Sequence, residues 1–314
     1  MYLLKEAIVE FLHHCRYEKN LSDKTLKFYE IDLLQLQSFL RSKEFSLEVR
    51  AITKAELREY LQSISVLKPK SVKRKVATIK AMFNYLEFED RIEVNPLRKM
   101  RIKIKEPFQL PKALNLQEMG AIFKTAYLKL QNKRESDYAY FEALRNVVVI
   151  ELLFATGARV SEIAGLKTDH INLDTGVVTI KGKGNKERII QICNTHTFEV
   201  LRNYQKQFAK LIQDAKGAFL VNRLGKALTD QSIRNMIRKL AQEAKVNKHV
   251  TPHMFRHSFA TLLLEKEVDI KYIQAMLGHS SIVTTQIYTH VNREKQRQIL
   301  QAKHPRMDFA VAGT

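Results

Sequence analysis

Four short stretches of this 314-residue chain carry side chains able to hold an anion and act on it. The first is Ala155-Thr156-Gly157-Ala158-Arg159-Val160-Ser161-Glu162, where Arg159 and Glu162 stand three apart on one helical face. The carboxylate can hold the guanidinium in place from behind. The second is Lys181-Gly182-Lys183-Gly184-Asn185-Lys186, in which a lysine between two glycines can come close to a phosphate. The third, Thr251-Pro252-His253-Met254-Phe255-Arg256-His257, puts His253, Arg256 and His257 at i, i+3 and i+4. They lie at a helix N-terminus, which itself favours anions. The fourth, Leu277-Gly278-His279-Ser280-Ser281 followed by Thr284-Thr285-Gln286-Ile287-Tyr288-Thr289-His290, offers an imidazole and a phenol.

Each stretch alone has a plainer reading. An Arg–Glu pair at this spacing more often serves structure than chemistry. A lysine in a glycine-rich turn is usually just solvated, and a lone tyrosine on a helix is usually core or surface. His253 and His257 have metal-ligand spacing, but Arg256 between them repels a cation and no carboxylate lies close in sequence, so no metal is expected. The order and spacing of all four together is the informative feature.

The elements that must position these side chains are mostly helices. The apolar run Val147 to Phe154 reads as a buried helix with Gly157 as its stop, and a new helix starts near Arg159. Thr251 is an N-cap with Pro252 at the first helical position. Gly278 ends one helix and Ser281 caps the next. Val177–Ile180 and Arg188–Ile192 read as strands joined through Gly182-Lys183-Gly184-Asn185, which are hairpin residues. Upstream, residues 1–97 read as helices throughout, with apolar stripes at Ile8, Phe11, Leu12 and at Phe28, Ile31, Leu34. Ser22 caps a helix to about Leu40, and Thr53 caps another to about Ser63. Pro69 and Ser71 open a helix carrying Lys73, Arg74, Lys75 and Lys80, and Asn95-Pro96 closes the region. Residues 98–112, with Arg101, Lys103 and Lys105, alternate basic and apolar residues. That suits a strand, but Pro107 and Pro111 favour an extended linker. A second domain then runs over 113–291, and a tail over 292–314 carries a short helix to about Lys303.

Hydrophobic residues at 45% and charged residues at 27% are ordinary for a soluble chain, but a net charge of +20 is not. The excess attracts a polyanion, nucleic acid being the commonest, although charge alone leaves a merely basic protein equally open. Residues 1–112 hold 23 Lys/Arg and 15 Asp/Glu, the remainder 30 and 18, so both halves share the excess. This favours DNA held between two basic faces. Cys15 and Cys193 fit no metal-ligand spacing and are expected as free thiols. The start has no long apolar run, and no stretch approaches a membrane span, so a cytoplasmic protein without membrane association is expected.

The whole chain resembles the tyrosine recombinase/phage integrase family, most closely its Xer branch. The family pattern of Arg, Lys, His-x-x-Arg, His or Trp, and Tyr is matched by Arg159, Lys183, His253, Arg256, His279 and Tyr288. Gly182 to Arg188 and Leu277 to Val291 look Xer-like, and Asn95-Pro96-Leu97 resembles the usual end of the family's core-binding domain. Ala158 and Phe255 stand where leucine is frequent, both apolar changes. The resemblance implies a mainly α fold with a small antiparallel β-sheet in the catalytic domain, the two domains forming a C-shaped clamp around DNA. Residues 1–97 become a SAM-like core-binding domain, 98–112 a basic interdomain linker, 113–291 the catalytic domain, and 292–314 a tail that docks on a neighbouring protomer. No arm-site-binding domain is expected ahead of them.

The implied reaction is transesterification at a DNA phosphodiester. Tyr288 is the nucleophile and forms a 3′-phosphotyrosine. Arg159, Arg256 and His279 hold the non-bridging oxygens, the cationic surroundings or His253 let Tyr288 lose its proton, and Lys183 protonates the departing 5′ oxygen. Glu162 and His257 support from behind. Lys73, Arg74, Lys75, Lys80, Arg101, Lys103 and Lys105 are the candidate DNA contacts. Neither metal, ATP nor any other cofactor is implied. The partners are a double-stranded recombination site and, with four protomers on two sites, either three further copies or a related recombinase. Chromosome-dimer resolution, mobile-element integration or excision, and DNA inversion all fit. A catalytically silent architectural protein and a relaxing topoisomerase are the competing readings.

Overall fold

The computed structural model describes residues 2–105, 113–134, 138–182, 187–278 and 293–308, without the side chains of 293–296 and 307–308. The chain divides into two compact units, Met1–Gln109 and Leu110–Thr314.

The first unit is a packed set of four helices: α1 (Leu4–Tyr17), α2 (Asp23–Ser42), α3 (Lys54–Ser63) and α4 (Pro69–Phe88). Ser22 accepts from the Thr25 amide, Thr53 accepts from the Ala55 amide, and Pro69 opens α4, as the sequence predicts. Leu4, Ala7, Ile8, Phe11 and Cys15 form the buried stripe of α1, and Cys15 is a free thiol. On α2 the expected stripe is wrong. Phe28, Ile31 and Leu34 are exposed, while Leu26, Leu33, Leu36 and Leu40 are buried. The helix is apolar on two faces, and a buried carboxylate selects between them. Asp32 is fully buried, accepting from Lys75 Nζ at 3.0 Å and Thr78 Oγ1 at 3.2 Å, with Arg74 as a further partner. An unpaired buried carboxylate is costly, so the face of α2 that carries Asp32 turns toward α4.

That network also corrects one candidate DNA contact. Lys75 is buried, and its ammonium is held by Asp32 and Gln35 inside the unit, so it presents no charge to a phosphate. Arg74 is half-buried, bonded to Asp32 with its guanidinium over the Phe28 ring. Lys73 and Lys80 are exposed. Residues 101–105 form no strand: Met100, Ile102 and Ile104 pack on the core of this first unit, leaving Arg101, Lys103 and Lys105 exposed.

The second unit is built around α6 (Tyr138–Thr156), whose residues from Val147 onward are all buried. It packs against α5 (Leu116–Gln131), α8 (Thr195–Gln207), α10 (Asp230–Glu243) and α11 (Pro252–Glu265). The short helices are α7 (Val160–Ala164), α9 (Ala209–Asp214) and α12 (Ile270–Leu277). A three-stranded antiparallel sheet runs in the order β1 (Ile171–Asn172), β2 (Val177–Lys181), β3 (Glu187–Gln191). Its β2–β3 register pairs Val178 with Ile190 and Ile180 with Arg188, which gives one buried face. The hairpin is therefore where the sequence puts it. Residues 183–186, including Lys183, lie outside the described residues.

The tail forms α13 (Arg293–Lys303) and a 3-10 turn, Pro305–Asp308. Residues 299–306 of it seat on their own unit. Leu300 is fully buried, Lys303 donates to the Lys266 carbonyl, and Arg306 forms a buried ion pair with Glu151. The physical reason lies in Glu151, a carboxylate in the middle of the apolar α6, which needs a cation. Tyr127 and Thr197 donate to it as well, at 2.6 and 2.8 Å. Among the described residues no helix is long and apolar enough to cross a membrane.

Candidate active site

Three helix ends converge on one patch of the second unit. The first is the exit from α6. Thr156 Oγ1 donates to the Leu152 carbonyl and accepts from the Ala158 amide, closing the helix. Gly157 then takes φ +58°, and a Cβ there would stand 2.7 Å from Phe259 Cδ1 and 2.9 Å from Leu277 Cδ2. Only glycine fits both the left-handed turn and the close approach. The turn delivers Arg159 to the N-cap of α7, its side chain 42% exposed. Glu162 reaches back from the first turn, accepting from the Arg159 amide at 2.7 Å and from its Nη1 at 2.8 Å.

The second end is the start of α11. Pro252 occupies the first helical position, as predicted, while the Thr251 side chain makes no capping bond. Arg256 points inward rather than along a shared outer face. It is 3% exposed and donates to the Gly157 carbonyl at 2.9 Å and the Leu277 carbonyl at 2.7 Å. It thus ties the Arg159 turn to the third end, the close of α12 at Gly278 (φ +65°). His253 is exposed and His257 half-buried, with ring centroids 4.5 Å apart.

The electrostatics suit an anion. Arg159, Arg256 and a third guanidinium, Arg188 of β3, surround the single carboxylate of Glu162. Arg188 donates Nη1 to Oε1 at 3.1 Å and Nη2 to Oε2 at 2.8 Å. Burial opposes the ionisation of Glu162, but the hydrogen bonds and charges of Arg188 and Arg159 carry its pKa down to about 2. Burial, with the repulsion of Arg159 and Arg188, lowers Arg256 to about 10. Partial desolvation also lowers His253 despite its exposed edge, helped by His257, Arg256, Arg159 and Arg234, and burial and Arg256 lower His257. Both imidazoles are therefore neutral near pH 7 and able to accept a proton. Fixed guanidinium groups in excess over carboxylates suit a phosphoryl group gaining negative charge.

Of the sequence candidates, the structure brings together Arg159, Glu162, His253, Arg256 and His257. His279 and Tyr288 lie outside the described residues, as does Lys183. Among the described residues no group of three or more His, Cys, Asp or Glu side chains is placed to hold a metal ion. Sequence reasoning missed Arg188. The signal was available: in the alternation of Arg188, Ile190 and Ile192, the arginine falls on the apolar face of its strand.

The phage integrase family matches this chain over residues 117–295, and the phage integrase N-terminal SAM-like domain over 8–90. A tyrosine recombinase of Agathobacter rectalis is 45% identical over 308 residues, covering 98% of each chain. Tyrosine recombinase XerD of Listeria innocua is 33% identical over 317 residues, covering 96% of this chain and all of its own length. Among solved structures, the XerH site-specific recombinase bound to its difH substrate in a pre-cleavage complex superposes with a TM-score of 0.68. It shares 24% identity over 93% of this chain and 83% of its own, a likeness of fold.

Proposed function

The chain belongs to the phage integrase family, and from that premise we propose that it is a site-specific tyrosine recombinase that cuts and rejoins double-stranded DNA. The observation that carries the reading is the excess of guanidinium groups, Arg159, Arg188 and Arg256, around one carboxylate beside His253.

In the proposed reaction the Tyr288 oxygen attacks the phosphorus of one strand as its proton passes to His253. The bond from phosphorus to the 5′ oxygen breaks, Lys183 gives that oxygen a proton, and a 3′-phosphotyrosine and a free 5′-hydroxyl remain. Arg159 and Arg256 stabilise the charge on the non-bridging oxygens, joined by His279, and Glu162 and His257 hold them from behind. A 5′-hydroxyl from a second duplex reverses the step. The tyrosyl ester conserves the phosphodiester bond, so the exchange needs no ATP, and the guanidinium groups supply the charge that a divalent ion would otherwise bring.

Exchange between two duplexes calls for four nucleophiles, hence a tetramer of this chain or of this chain with a related recombinase. Residues 1–97 would serve as the core-binding domain and 113–291 as the catalytic domain, both contacting the duplex. Lys73, Lys80, Arg101, Lys103 and Lys105 provide exposed positive charge on the first unit. Work on chromosomal or mobile-element DNA puts the enzyme in the cytoplasm.

The test is trapping of covalent protein–DNA complexes from genomic DNA with detergent, in the presence of EDTA. Complexes should form undiminished, with 5′ ends that a polynucleotide kinase labels directly. Loss of the complexes on chelation, from protein that still binds DNA, would overturn the reading. The sequences recovered separate dimer resolution from integration and inversion.

A further inference from the structure

We infer that Arg188 is a positioning residue for the reaction: by neutralising Glu162 from within the fold, it leaves Arg159 free to turn its remaining donors to the phosphate. The inference rests on the recombinase reading above and adds a residue to it.

The two arginines on Glu162 are not equivalent. The Arg188 side chain is 12% exposed and spends all three nitrogens inside the protein. Nη1 and Nη2 form a fork on Glu162, and Nε donates to the Met276 carbonyl at 2.7 Å. The Arg159 side chain is 42% exposed and gives Glu162 only Nη1. The Glu162 carboxylate, its side chain 4% exposed, thus accepts four hydrogen bonds, and its charge is met chiefly from β3.

Without Arg188, a buried carboxylate would be left with two open lone-pair directions. Such a group recruits the nearest cation, and Arg159 is on the same turn of chain. A fork–fork pair between Arg159 and Glu162 would draw the guanidinium inward and use the donors that face the substrate. Arg188 prevents this. It also anchors the end of α12, where a Cβ on Gly278 would lie 3.2 Å from Arg188 Cδ. Among the described residues, the charged groups facing Glu162 are Arg159 on its own turn, Arg188 on β3 and Arg256 on α11.

The experiment uses the full chain and a duplex carrying the site recovered from the trapped complexes. Single-turnover cleavage and gel-shift affinity are measured for wild type, Arg188→Met, Arg188→Lys, Glu162→Gln and the Arg188→Met/Glu162→Gln pair. Arg188→Met should cut roughly 10- to 100-fold more slowly with site affinity nearly unchanged. The double variant should be no slower than the worse single, because both act through Arg159. Arg188→Lys restores the charge but not the fork, and should fall between. Carbon-13 labelling of glutamate carboxyls, with the Glu162 signal identified by its absence in Glu162→Gln, should show that group titrating at higher pH in Arg188→Met. Additive defects, cleavage at the wild-type rate by folded Arg188→Met, or an unmoved Glu162 signal would each overturn the assignment. So would failure of both Arg188→Met and Arg188→Lys to fold, which would make the residue structural. Failure of the recombinase reading looks different: the wild type itself would yield no covalent complex.

Discussion

His304 makes the docking of the tail sensitive to acid. The side chain is buried, its ring centroid 5.5 Å from that of Phe154 and 5.6 Å from that of Phe259. Nδ1 accepts from the Arg306 amide at 2.9 Å. Burial pushes the imidazole down to about 4, against the opposing pull of the Ala155 carbonyl and Glu151. The seated tail therefore disfavours the protonated ring. Its contribution is complete above the unfolded value near 6.5 and is lost as pH falls toward 4. At about 1.4 kcal/mol per pH unit, the interval is worth about 3 kcal/mol. His304→Asn keeps an acceptor for the Arg306 amide but cannot titrate. Amide exchange of peptides spanning 293–308, read by mass spectrometry, gives the open fraction of the tail. Between about pH 7.5 and about pH 5 that fraction should rise roughly 30-fold more in wild type than in His304→Asn. An equal rise in both proteins would refute the reasoning.

Two further substitutions test the packing behind the site. Gly157→Ala combines a left-handed backbone with contacts to Phe259 and Leu277 below 3 Å, and should cost about 2–4 kcal/mol. Because the Gly157 carbonyl holds Arg256, covalent complex yield should fall as well. Gly120→Ala, whose Cβ would meet nothing within 4 Å, is the control, and equal melting temperatures for the two would contradict the account. In the first unit, Asp32→Leu leaves the Lys75 ammonium buried without a counter-charge and should cost about 3–5 kcal/mol, with Asp32→Leu/Lys75→Met recovering most of it. Urea unfolding followed by circular dichroism checks this, and a single variant as stable as wild type would contradict it.

Much of the fold was legible because its signals are local. Caps at Ser22, Thr53 and Pro69, the stop at Gly157 and the β2–β3 hairpin each depend on a few adjacent residues, and each appears where the sequence puts it. What was not legible has partners distant in sequence. The face of α2 is chosen by Asp32 pairing with residues more than 40 positions away on α4, a choice that apolar periodicity does not contain. The same pairing removes Lys75 from the surface, although a run of basic residues reads as a solvated face. Glu151 and Arg306 are 155 residues apart, so the seating of the tail was hidden, although a lone carboxylate inside Val147–Phe154 already called for a buried partner. At the site, Arg159 with Glu162 was read from spacing alone. Arg188 needed the strand register that sets it against Ile180 and turns it toward Glu162.

The central claim, that Tyr288 attacks DNA through the cationic site, is tested most directly by locating the covalent bond. Trapped complexes are digested with nuclease and protease, and the peptide carrying the nucleotide remnant is sequenced by mass spectrometry. The expected remnant is joined through a 3′-phosphate to Tyr288, and none comes from Tyr288→Phe, which should still bind the site. A remnant on any other residue, or a covalent complex formed by Tyr288→Phe, would contradict it.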